Sequence, residues 1–275
     1  MHQKTQIQNL GFSAGIINGE LVSFKNNSHE FIHQKGNKGW RNSDDEMFPV
    51  IGPTSKNNFL VHTKKGDAIL DQHGLLRELE YSLVSSDDNS VSFIKTYKKN
   101  SFVKNSKFPK KSDKEHLFWP YNFSFQKNFK IEKNRLKIEF IIESEKGMPF
   151  MLGYHPAFLL SDSGTETLQT TTAEITLKEV LEAGSNAYPV LNCTKVELKN
   201  IGKNNVEIST TGFNNLMLWT EVNNMICIEP ITQYTSYVEQ KYLNEHMQLS
   251  QGKNIFTVEI KVILFENKPS SFYDS

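Results

Sequence analysis

In "MLGYHPAFLL", residues 151–160, one histidine, His155, stands inside an otherwise apolar run, between Tyr154 and Pro156. In "NMICIEPITQ", residues 224–233, a carboxylate has the same setting: Glu229 follows Met225-Ile226-Cys227-Ile228 and directly precedes Pro230. A charge buried without a partner is costly, so each group is either satisfied by hydrogen bonds or reserved for chemistry. Each proline biases the preceding residue toward extended backbone, so both side chains are expected to project from strand ends. A third stretch, "AILDQHGLLRELEY" (68–81), sets His73-Gly74 ahead of Arg77, and Trp219 closes the apolar run of "NNLMLWTEV". An imidazole and a carboxylate, with ordinary pKa values of ~6.5 and ~4.3, suit general acid and base work near neutral pH. Taken singly, each has a plain structural alternative. His155 suits a hydrogen-bonded core histidine, Glu229 a solvated strand end, and His73 a turn with Arg77 on the surface.

Strands must position these residues. "RLKIEFIIE" (135–143) puts Leu136, Ile138 and Phe140 on one face and Lys137 and Glu139 on the other. "NIFTVEIKVILF" (254–265) alternates likewise before a fully apolar finish, and "VSFIKTYKK" (91–99) and "NVEIST" (205–210) are weaker versions. This period of two, rich in Val, Ile, Phe and Thr, predicts β-strands. Turn signals separate them at 132–135, 161–164 and 250–253, and Asn223-Asn224 predicts a hairpin turn between two short apolar runs. One helix-like stretch, "TLKEVLEAGS" (176–185), is too short to organise the fold. No repeat or linker divides the chain. The expectation is an all-β, mainly antiparallel protein with residues 1–275 as a single domain, a size at which a large core forms readily.

Composition removes several function classes. Lys+Arg and Asp+Glu are both 31 and the pI is about 7.1, so no general field draws nucleic acid or an anionic membrane. No apolar run approaches the ~20 residues of a membrane span, and the first residues lack the apolar centre of a secretory signal. Cys193 and Cys227 are the only cysteines and have no metal-ligand spacing, which fits a reducing, cytoplasmic setting. There is no dinucleotide or Walker-type loop, no HExxH and no GxSxG elbow. Residues 95–116 carry eight lysines. They read as a solvated hairpin guarding strand edges, or alternatively as a rim for a phosphorylated or acidic substrate.

Taken in order, the landmarks form a series. They are "NGELVSFKNNSHEFIHQ" followed by Trp40, "MFPVIGP" (47–53), "QHGLLRELEY", "WPYNFSF" (119–125), "LGYHPAF" (152–158), "LWTEVNNMICIEP" (218–230) and "MQLSQGK" (247–253). Over nearly the whole chain this series resembles the aldose 1-epimerase (galactose mutarotase-like) family, in its shorter bacterial branch. The resemblance implies that family's β-supersandwich fold and an isomerase that interconverts the α and β anomers of a sugar. It implies His155 as the acid that protonates the ring oxygen and Glu229 as the base on the anomeric hydroxyl. It places His73 as a sugar contact, with Arg77 and Trp219 lining the site.

Ring opening by a protonated imidazole and a free carboxylate needs no metal and no redox cofactor, and the implied partner is a small sugar. A hexose-6-phosphate mutarotase and a non-catalytic carbohydrate-binding protein on the same fold are the alternatives. Three departures from the family pattern, at Pro53, at Leu75-Leu76 and at Ile231-Thr232-Gln233-Tyr234, bear on sugar identity and leave the acid/base pair intact.

Overall fold

The computed structural model describes residues 4–199 and 204–264. The alternating segments become the strands expected of them. Phe123–Glu132 and Arg135–Ser144 form the central hairpin about a turn with Lys133 at φ 55°. Lys253–Ile263 pairs with the far side of Arg135–Ser144; Phe265, at the end of the predicted strand, lies outside the described residues. Around this hairpin runs a nine-stranded sheet, from Glu174–Thr176 at one edge through Thr167–Gln169, Lys195–Lys199 and Asn205–Thr211, to Ser90–Tyr97 and Ser82–Ser86 at the other. Its ladders are all antiparallel. The helix-like stretch is a helix at Leu177–Ala183, opened by a capping box between Thr176 and Glu179; such a box satisfies two otherwise unbonded amides.

A six-stranded sheet packs against the first. Tyr188–Val190, Asn215–Trp219, Met225–Ile231, Gly153–Tyr154 and Glu46–Met47 follow one another, and Ala157–Leu159 also pairs with Met225–Ile231. Rings interlock between the layers. Phe140 meets Tyr154 at 5.0 Å, Phe125 meets Phe48 at 5.7 Å and Phe256 meets Phe150 at 6.1 Å between centroids. Burying such rings is the main drive for the layers to stack, at ~25 cal/mol per Å² of apolar surface. A four-stranded sheet, Lys4–Asn9, Phe12–Ile17, Glu20–Asn26 and His29–Glu30, covers one end. The fold is the all-β, mainly antiparallel arrangement that the sequence pattern predicts.

One inward position breaks the apolar rule. Alternation along Phe123–Glu132 turns Lys127 to the same buried face as Phe125 and Phe129, and the side chain is 0% exposed. Its Nζ donates to Asp44 Oδ2 at 2.7 Å and to Glu46 Oε1 at 2.6 Å, while the Tyr154 hydroxyl donates to the same Asp44 oxygen at 2.8 Å. Burial works against each of these charges. For Asp44 it wins, raising the carboxyl to about 7 against the pull of Lys127. For Glu46 the cations Lys127 and Lys95 outweigh it and hold the carboxyl low.

Lys95 also corrects the picture of a fully solvated lysine segment. It is buried, lies 4.2 Å over the Tyr81 ring and donates to Leu76 O at 2.9 Å. The remainder of the segment forms a small hairpin, Val103–Lys104 against His116–Leu117, with Lys98, Lys99, Lys104, Lys110 and Lys111 exposed.

Candidate functional site

Three neighbouring strands carry the site. Gly153 faces Ile231 and Ala157 faces Cys227 in one continuous register, so His155 falls directly opposite Glu229. The Ile228 amide donates to Pro156 O at 3.3 Å, in keeping with that alignment. On the other side Met217 faces Glu229 and Trp219 faces Cys227. Successive strand residues point to opposite faces, which sends Met225, Cys227 and Glu229 to the site and Ile226 and Ile228 to the main core. Both faces are covered, and that is why the strand reads as an unbroken apolar run. Glu229 lies two residues inside the end of Met225–Ile231, not at its terminus. Pro230 fits there because its neighbour breaks pairing between Tyr154 and Ala157.

His155 Nε2 and Glu229 Oε1 are 3.3 Å apart, with His155 8% and Glu229 1% exposed. The other two atoms, His155 Nδ1 and Glu229 Oε2, have no hydrogen-bond partner among the described residues. An indole closes over the imidazole. Trp40 stacks on the imidazole with centroids 4.2 Å apart and planes 23° apart, and Trp219 meets it edge-on at 6.1 Å. Trp40 is anchored at both backbone ends: its amide donates to Met225 Sδ at 3.3 Å and its carbonyl accepts from His33 Nε2 at 2.8 Å.

His73 approaches His155 edge-on at 6.2 Å. Its Nδ1 contacts Ile51 O at 2.6 Å, and since a carbonyl only accepts, Nδ1 carries the proton. Nε2 is then the acceptor, facing the Gln72 amide at 3.3 Å. His73 and Gly74 both take left-handed backbone, at φ 72° and 73°, and a Cβ on Gly74 would fall 2.1 Å from Phe48 O. The chain can make this turn only with glycine there. Arg77 follows on the turn Leu76–Glu78, held by Asp45 Oδ2 at 3.1 Å from its Nη2. Asp45 also exchanges backbone hydrogen bonds with His155, at 2.8 and 3.2 Å.

Burial dominates the electrostatics. It pushes His155 down to about 3, with the Arg77 charge adding to the effect. It pushes Glu229 well above the ordinary carboxylate range, although Arg77 pulls the other way. Burial, then Arg77, also holds His73 well below the usual imidazole value. Burial thus favours the uncharged form of each partner, where sequence reasoning expects an imidazolium beside a carboxylate. Arg77 reaches all three groups.

The structure thus brings His73, Arg77, His155, Trp219 and Glu229 around one point. Trp40, Asp45 and Cys227 join them without having been singled out as site residues. For Cys227 the available signal is its two-residue spacing from Glu229, which puts both on one strand face. Two surface grooves elsewhere, one of about 400 Å³ beside Lys65 and Lys99 and one of about 320 Å³ beside Gln126 and Glu139, have no histidine in their walls.

The sequence profile of the aldose 1-epimerases matches residues 4–214, most of the chain. The chain belongs to the aldose 1-epimerase family. The match ends before Trp219 and Glu229, so the place of those two in the site rests on the geometry above. This aldose 1-epimerase family member is 18% identical to a galactose mutarotase related enzyme from Lactobacillus acidophilus, with a TM-score of 0.77 covering 97% of this chain and 99% of that one. A galactose mutarotase-like protein from Lactobacillus casei superposes with a TM-score of 0.76 at 17% identity, over 94% and 100% of the two chains. Both likenesses establish the fold. Protein LacX of Lactococcus lactis is 24% identical over 150 residues, 52% of this chain, and the matched part spans 45% of that relative's length.

Proposed function

We propose that this protein is a mutarotase that interconverts the α and β anomers of an aldose, with His155 and Glu229 as its acid/base pair. The observation that carries the reading is the directly opposed pair, 3.3 Å apart, buried between two indoles. The ring oxygen and the anomeric hydroxyl of a sugar sit on one carbon. An acid and a base that serve both must therefore stand close together.

Glu229 takes the proton of the C1 hydroxyl while His155 delivers one to the ring oxygen. The bond from C1 to the ring oxygen breaks and C1 becomes an aldehyde. Rotation about C1–C2 presents the other carbonyl face, and closure returns both protons. One proton shared by the pair suffices for the cycle. The faces of Trp40 and Trp219 suit the C–H surface of a pyranose.

Neutral sugars fit better than sugar phosphates. Arg77 already has Asp45 as counter-ion, 3.1 Å from its Nη2, and Lys107, the lysine beside His73, is committed to Asp71 at 2.8 Å. A polarimetric screen of freshly dissolved aldoses and aldose 6-phosphates tests the reading: acceleration of one or more aldoses is expected, and none at all favours a carbohydrate-binding protein. Lys110→Ala and Lys111→Ala, both at exposed positions, should leave free-sugar turnover unchanged. A large loss would bring the lysine segment into the site.

The pH profile gives a second test. Burial holds His155 down to about 3, so its imidazole takes up a proton from solvent only far below neutral pH. As pH falls from 7 to 5, His155 should therefore add no step of its own to kcat/KM, which reports the free enzyme. A decline centred near ~6.5, the ordinary imidazole value, would mean that His155 is solvated or is not the acid.

A further inference from the structure

Cys227 has no part in the anomer-exchange mechanism, yet its thiol is wholly buried on the same strand face as Glu229. One ligand atom from each of His155, Cys227 and Glu229 lies within 4.8 Å of the other two. We infer that these three side chains form a latent binding site for a thiophilic divalent cation, zinc being the best fit, and that its occupation arrests the acid/base pair.

The donor set points to this class of ion. One sulfur, one imidazole nitrogen and one carboxylate oxygen make the three protein ligands typical of an open tetrahedral zinc site, with water as the fourth. Magnesium and calcium want an oxygen-rich shell of six or more, and a single carboxylate cannot supply it. Zinc–nitrogen and zinc–oxygen bonds of ~2.0–2.2 Å place two tetrahedral ligands roughly 3.4 Å apart. The 3.3 Å between His155 Nε2 and Glu229 Oε1 already matches that edge. The sulfur must close in by up to ~1 Å, to meet a zinc–sulfur bond of ~2.3 Å.

A second, independent feature is the Glu229 carboxylate itself. It is 1% exposed and its Oε2 lacks any partner among the described residues, an arrangement that a cation would relieve. The nearby Arg77 charge is countered by Asp45. On binding, the Cys227 thiol and the Glu229 carboxyl each release a proton to solvent, and the imidazole lone pair and the carboxylate are both taken up by the metal. Only the consequence for activity rests on the mutarotase reading; binding does not.

The test is titration of untagged protein with Co²⁺ as a spectroscopic probe, followed by displacement with Zn²⁺. One equivalent of Co²⁺ should give thiolate-to-cobalt charge-transfer absorption. Cys193→Ser should keep the band, since that thiol lies elsewhere and donates to Lys195 O. Cys227→Ser should abolish it and weaken Zn²⁺ binding by more than the ~10–100-fold that losing an outer-shell partner of a metal ligand costs. Should Cys227→Ser fail to fold, Glu229→Gln provides the check, keeping the band while weakening affinity by a similar factor. Wild-type anomer exchange should be arrested by Zn²⁺ and restored by a chelator. Absence of the band in wild type, its survival in Cys227→Ser, or unchanged affinity in Glu229→Gln would overturn the site. A cobalt band without any sugar turnover would uphold the site and sink the mutarotase reading instead.

Discussion

Replacing Glu229 by Gln is expected to slow catalysed anomer exchange by ~10²-fold or more, the usual share of a positioned base. The amide keeps the shape of the carboxyl but cannot carry the shared proton back and forth. His155→Asn should cost a comparable factor. The double variant should lose far less than the product of the two, because one proton passing between two groups is a single device. Polarimetry on fresh α-glucose or α-galactose, corrected for spontaneous exchange, measures all three. Circular dichroism must accompany it, since altering a buried polar group can itself destabilise by several kcal/mol. A folded Glu229→Gln protein that equilibrates sugar at the parental rate would remove Glu229 from the mechanism.

The second large effect concerns stability and lies beneath the site. Lys127→Met should destabilise the protein by about 3–5 kcal/mol, the range for removing one partner of a buried ion pair. Asp44 and Glu46 would be left 4% and 2% exposed without the ammonium that bridges them. Urea unfolding gives the magnitude. Adding Asp44→Asn and Glu46→Gln to Lys127→Met should recover part of the loss, because the cost comes from stranded charge and not from lost volume. A loss under ~1 kcal/mol would place Lys127 among solvent-screened surface pairs. The function is coupled to this network through Asp45, which lies between the two carboxylates in sequence. It brackets His155 with two backbone hydrogen bonds and holds Arg77.

Much of this is legible in the sequence. Period-two alternation locates the strands at 135–143 and 205–210 and, as far as Ile263, the one predicted at 254–265, because the face of a strand residue is a local property that the chain itself encodes. His155 and Glu229 declare themselves as ionisable groups in apolar runs ahead of prolines, and the ordered landmarks identify the family. The partner of a strand residue is another matter. Nothing near residue 155 says that residue 229 will stand opposite it, since that depends on the register between segments more than 70 positions apart. The same non-local pairing sets Cys227 beside Trp219, and a loop contact brings Trp40 down onto the imidazole. Lys127 is the instructive case. Its inward position follows from the alternation Phe123, Phe125, Lys127, Phe129, but a lysine there reads as an error of pattern until its two carboxylates arrive from residues 44 and 46. The sequence by itself determined which side chains face inward. Tertiary structure alone decided which of them meet, because proton sharing, ion pairing and burial all depend on distance in space and not along the chain.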